Sequence, residues 1–125
     1  MLSEIEGPLY EIKADLFKGL AHPVRIRVLE ILSASPGHSC TVGELLGEID
    51  IESSHLSQHL ATLRRHRVVT SARTGSAVTY SLAHPKIAEL LAIARVFLHD
   101  TLADARALLD DVSRLQGTDA PAERR

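Results

Sequence analysis

Ser53-Ser-His-Leu-Ser-Gln-His-Leu-Ala-Thr-Leu-Arg-Arg-His-Arg67 decides how this chain is read, because wound as a helix it has two chemically different faces. At about 100° per residue, Leu56, Leu60 and Leu63 share a narrow arc, while Ser54, Ser57, Gln58, Ala61 and Arg65 lie roughly opposite. One face can dock on an aliphatic core. The other offers small hydroxyls, an amide and a guanidinium, groups that match the donors and acceptors on base edges.

The surrounding sequence gives that helix a setting. Upstream, Thr41-Val-Gly-Glu44 reads as a capping box that opens a short helix running to about Ile49. Asp50-Ile-Glu52 forms the turn, and Ser53 is the expected N-cap of the long helix. A short helix, a tight turn and a longer amphipathic helix make a two-helix DNA reader. Downstream, Val68 to Arg73 and the alternating Ala77 to Leu82 read as two strands, with Thr74-Gly75 at their bend. A lone hairpin is marginal, so its inner face is expected to pack on the helices and leave its basic tip free.

Farther out, apolar residues at 9, 12, 16, 17 and 20 mark a first helix, and Pro23 restarts a second one buried through Val24, Val28, Leu29, Ile31 and Leu32. Ser33-Ala-Ser-Pro-Gly37 stops it. A last helix is expected from about Pro85 to Gln116. Within it Leu91, Ala94, Leu98, Thr101, Ala105, Leu108, Val112 and Leu115 alternate in steps of three and four. So long a helix on so small a chain implies a partner, and a second copy is the economical one. The fold expected is mainly α with a small β-hairpin: a winged helix-turn-helix of about five helices plus a two-stranded wing, dimeric through its first and last helices. The expected boundaries are a flexible segment over residues 1–8, the DNA-binding and dimerisation domain over 9–116, and a disordered tail over 117–125.

Composition agrees with this outline. The 125 residues are 45% hydrophobic but only 3% aromatic, which implies one domain with an aliphatic core. The net charge of −2 hides a strong asymmetry. Residues 52–86 carry Arg64, Arg65, Arg67, Arg73 and Lys86 against Glu52 alone, while both flanks are acidic. Charged residues interrupt the longest apolar stretch, and the first residues lack the pattern of a signal peptide, so a cytoplasmic location without a membrane partner is expected. A single cysteine, Cys40, excludes an internal disulfide and any multi-thiolate metal site within one chain. It reads either as a small buried thiol or, near His38, as a redox-sensitive one.

Three stretches together resemble the ArsR/SmtB family of bacterial winged-helix regulators: Leu16-Phe-Lys-Gly-Leu-Ala-His-Pro-Val-Arg-Ile-Arg-Val-Leu-Glu-Ile-Leu32, Ser53 to Arg65, and Arg73-Thr-Gly-Ser-Ala-Val-Thr-Tyr-Ser-Leu82. The resemblance spans about residues 9–110. It implies a homodimer that binds a near-palindromic double-stranded DNA operator and represses until an inducer loosens its hold. The residues expected at DNA are Ser53, Ser54, His55, Ser57, Gln58, His59, Arg64 and Arg65 on the helix, with Arg73, Thr74 and Gly75 on the wing. The family's two common metal sites are not matched. Glu44-Leu-Leu-Gly-Glu48 has no Cys-x-Cys element, and the zinc-type positions fall on His84, Lys86, Phe97 and Asp100, two of which cannot be ligands. No cofactor is favoured. Nickel or zinc held by His84, His99 and Asp100 stays open as a metal-responsive alternative. A second alternative keeps the winged fold but pairs it with another protein. Ser54, Ser57, His55 and His59 lack a third group or a pocket, so an enzyme is not expected.

Overall fold

The structure, a computed structural model, describes residues 7–116; residues 1–6 of the expected flexible segment 1–8, and the expected tail 117–125, lie outside them. Two compact units are distinguished, one ending at Glu89 and one beginning at Leu90. In chain order the elements are α1 (Leu9–Leu20), α2 (Pro23–Ala34), a short 3-10 turn (Pro36–His38), β1 (Ser39–Thr41), α3 (Val42–Glu48), α4 (Ser53–Arg65), β2 (Val69–Thr74), β3 (Ala77–Leu82) and α5 (Lys86–Gln116).

The core of the first unit is aliphatic. Val28, Leu29, Ile31 and Leu32 of α2 are buried with Leu45 of α3 and with Leu56, Leu60 and Leu63 of α4. Each such leucine contributes about 1.5–3 kcal/mol relative to an exposed one. The leucine stripe read from the sequence is therefore what seats α4. His22 has extended backbone ahead of Pro23, and its Nδ1 accepts the backbone N–H of Val24 at 3.0 Å, which caps α2.

The expected capping box is present at α3. The Thr41 hydroxyl accepts from Glu44 N–H at 3.1 Å, and Glu44 Oε1 accepts from Thr41 N–H at 2.8 Å. The cap of α4 differs from the expectation: Glu52, extended at φ −67°, takes the N-cap place without a side-chain bond, and Ser53 is already the first helical residue. One residue of backbone geometry decides this, because Glu52 and Ser53 both stand between the turn and the leucine stripe.

At its other end α4 closes in a Schellman motif. Arg67, at φ 62°, donates its N–H to Arg64 O, and Val68 donates to Leu63 O, both at 3.0 Å. Buried Val68 then leads into β2, so the motif sets where the wing leaves the helix.

The wing is more than the two strands expected. The sheet is three-stranded and antiparallel in the order β1-β3-β2, with Cys40 opposite Tyr80 and Ser71 also opposite Tyr80. Three residues are too short to show a period, so Ser39–Thr41 was legible only as the approach to the capping box. β1 also explains why burial in β3 does not alternate cleanly: β3 is the central strand. Thr74 pairs with Ala77, so the two-residue loop is Gly75-Ser76 and not Thr74-Gly75. Gly75 takes φ 64° at the first loop position, where a II′ hairpin turn needs glycine.

α5 has 31 residues, about 46 Å of helix. Along it Ile93, Val96, Phe97, Leu98, Leu102, Leu108, Leu109 and Leu115 are exposed. No helix among the described residues is long and apolar enough to cross a membrane.

Candidate nucleic-acid interface

The buried leucines of α4 face inward, which leaves Ser54, Ser57, Gln58, Ala61, Arg64 and Arg65 exposed. Ser53 is exposed on the first turn, beside the free amides of the helix start. Arg64 and Arg65 stand in the last turn, where cations complement the helix dipole. Arg73, Thr74 and Gly75 are exposed at the hairpin tip, with Arg73 paired to Val78 in the strand register. Between the start of α3, α4 and the hairpin runs an open groove of about 540 Å³ that carries the side chains of Thr41, Ser57, Ser76 and Tyr80. Hydroxyls dominate its polar lining. Such a lining offers neutral hydroxyl donors among apolar side chains. Its members come from four elements, and the sequence connects only Ser57 with the helix face.

The two histidines of the recognition segment part company. His55 is exposed, with Nδ1 3.7 Å from Glu52 Oε1. His59 is half-buried on the flank of α4 and points to the α1–α2 corner: its Nδ1 lies 3.3 Å from Arg25 Nη1, and its ring centroid lies 4.2 Å from that of His22. Burial first, and then the charges of His22, Arg25 and His55, hold His59 below the ordinary histidine value. Sequence reading missed this cluster, which joins residues 34 positions apart. The only local sign was His59's place at the edge of the leucine arc.

Of the metal candidates, one caps the start of α5 and the other two are neighbours on that helix. His84 Nδ1 accepts the Lys86 backbone N–H at 3.0 Å, and His99 Nδ1 lies 3.7 Å from Asp100 Oδ1 on an exposed turn of α5. Among the described residues no three His, Cys, Asp or Glu side chains are gathered as a metal ion would need. Cys40 is buried on β1, with its sulfur 3.0 Å from Ser35 Oγ.

A helix-turn-helix followed by a hairpin with an exposed basic tip defines a winged-helix DNA-binding regulator, and comparison with known proteins agrees. A family described as a helix-turn-helix domain matches residues 20–72. The chain is 52% identical over 106 residues to the HTH-type transcriptional regulator Rv0081 of Mycobacterium tuberculosis, covering 84% of this chain and 90% of that one. The crystal structure of Rv0081 superposes with a TM-score of 0.71 at 51% identity, over 80% of this chain and 98% of that chain. The crystal structure of the transcriptional repressor BigR of Xylella fastidiosa gives a TM-score of 0.64 at 32% identity, over 70% and 87% of the two chains. The protein belongs to the ArsR/SmtB family of winged helix-turn-helix transcriptional regulators.

Proposed function

We propose that this regulator acts as a homodimeric repressor that binds a near-palindromic operator, with α4 of each copy in a major groove. The observation that carries this reading is the exposed polar face of α4, opposite three fully buried leucines and beside an exposed Arg73 hairpin tip. Ser54, Ser57 and Gln58 are assigned to base edges, because hydroxyls and amides can read donor and acceptor patterns there. Ser53, Arg64 and Arg65 are assigned to phosphates, and Arg73 with Thr74 and Gly75 to the adjoining groove and backbone. His55 stands at the rim of the same face. His59, engaged with Arg25, is assigned to holding the helix. A second copy joined through α1 and α5 would place two recognition helices about 34 Å apart, on successive major-groove faces. The repressor BigR supports the direction of control proposed, and the exposed apolar residues of α5 support the second copy.

The test is selection of bound duplexes from a random-sequence pool by the full chain. An inverted repeat with half-sites about one helical turn apart is expected. On the selected duplex, Gln58→Ala should weaken binding by about 1–3 kcal/mol and relax preference at one position in each half-site. Enrichment of no sequence, or a Gln58→Ala variant with unchanged affinity and preference, would remove the assignment of α4.

A further inference from the structure

The α1–α2 corner meets the recognition helix through two histidines whose proton placement is dictated by their partners. His22 Nδ1 accepts the peptide N–H of Val24 at 3.0 Å. A peptide N–H only donates, so this nitrogen holds a lone pair and the ring is neutral, with its proton on Nε2. His59 Nδ1 lies 3.3 Å from Arg25 Nη1. A guanidinium likewise only donates, so His59 is the same neutral tautomer. The two rings stand 4.2 Å apart at an interplanar angle of 39°. Arg25 is fixed from its other side by Nε donating to the Gly19 carbonyl at 2.8 Å. One guanidinium and two neutral imidazoles thus tie α1, α2 and α4 together.

We propose that the His22–Arg25–His59 cluster is an acid-sensitive clamp that positions the recognition helix. A proton taken up on His59 Nδ1 removes Arg25's acceptor and sets a cation against a cation at the same place. The groups that disfavour the His59 cation are His22 and Arg25 across the contact and His55 on its own helix, and none of them is anionic. The neighbouring tie between α1 and α4 has the opposite character. His66 Nδ1 donates to the Thr62 carbonyl at 2.9 Å, and Nε2 stands 3.6 Å from the Asp15 carboxylate, an anion of the kind the His59 contact lacks. Acid therefore acts on the recognition helix at His59.

The sign follows from linkage. The fold disfavours the His59 cation, so the unfolded or released state binds the proton more readily. The clamp is intact above the ordinary histidine value of 6.5 and is lost as pH falls below it, through the lower value of the folded state. Protonation of exposed histidines works the other way at DNA, by adding charge opposite phosphates. A variant that cannot titrate separates the two effects.

The effect on DNA rests on the reading of α4 given above; the clamp itself does not. Affinity of the full chain for the duplex selected from the random pool is measured at about pH 8 and about pH 5.5 for wild type, His59→Asn and His22→Asn, a range that brackets histidine titration. The Asn oxygen keeps an acceptor for Arg25 without titrating, and Asn is a favoured N-cap in place of His22. On acidification to about pH 5.5, wild type should lose up to about tenfold in affinity relative to His59→Asn, because the ordinary histidine value lies about one unit above that pH. His22→Asn should recover part of that loss, because His22 is one of the groups that disfavour the His59 cation. In the free protein, side-chain NMR should show the His59 ring as the Nε2–H tautomer, titrating below the ordinary histidine value. Parallel pH profiles for wild type and His59→Asn overturn the clamp, as does a His59 ring with its proton on Nδ1. If DNA is bound at neither pH, the DNA reading fails and the NMR titration alone decides the clamp.

Discussion

At Gly19 the absence of a side chain has a direct structural consequence. A Cβ there would stand 2.5 Å from His66 Cγ and 2.7 Å from His66 Cβ, which are not the movable end of a side chain. Gly19 therefore lets α1 approach the end of α4 closely enough for His66 to reach Asp15 and for Arg25 to reach the Gly19 carbonyl. Gly19→Ala gains up to about 1 kcal/mol in helix propensity. Overpacking of this kind costs about 1–3 kcal/mol. The second effect wins at a buried site, so urea unfolding should show a lower midpoint with an unchanged slope. A midpoint equal to or above that of wild type would mean that His66 moves freely, and that this contact does not position α4. At this scale the sequence was partly legible: Leu56, Leu60 and Leu63 could be placed by their spacing, whereas Gly19 gave no sign of what it makes room for.

Among the elements, α3 and the wing are the two small pieces that frame α4. α3 has only 7 residues, too short to be stable alone, and it relies on its capping box and on buried Leu45. Thr41→Ala removes one half of that box and should cost about 1 kcal/mol of stability, read from thermal or urea unfolding. The Glu44 carboxylate can still accept from residue 41, so a loss well above that figure would show that the Thr41 side chain has a further role in β1. The wing should reveal itself through salt. Arg73→Ala is expected to weaken binding to all duplexes alike and to reduce the slope of log affinity against log salt by about one. A change in sequence preference, with the slope intact, would instead place Arg73 at a base edge. The capping box, the breakers after α2 and the presence of a hairpin turn, though not its residues, could be read locally, because each depends on residues within a few positions. β1 could not, since its evidence is the pairing of Cys40 with Tyr80.

For the whole molecule, the question is what covers α5. Leu98 and Leu108 are 52% and 64% exposed, and both lie on the stripe of three- and four-residue steps that a partner helix could meet. In the dimer proposed, a charge on that stripe would be buried without a partner, at a cost of several kcal/mol. A Leu98→Glu, Leu108→Glu double variant should therefore sediment as a monomer and bind the selected duplex far more weakly, with helix content retained by circular dichroism. If it sediments like wild type, α5 is not the dimer contact.

The sequence by itself determined the elements and their faces. Helical spacing, capping residues and turn residues act through the chain's nearest neighbours, so all five helices, the capping box of α3 and the wing hairpin follow from short stretches read alone. Tertiary structure decided the rest. It selected Glu52 over Ser53 as the N-cap of α4, added β1 to the wing's sheet, and turned His59 from the rim of a DNA-facing surface toward Arg25 and His22. A residue on the flank of a helix takes its role from whatever packs against that flank. Here the α1–α2 corner, far away in sequence, packs there.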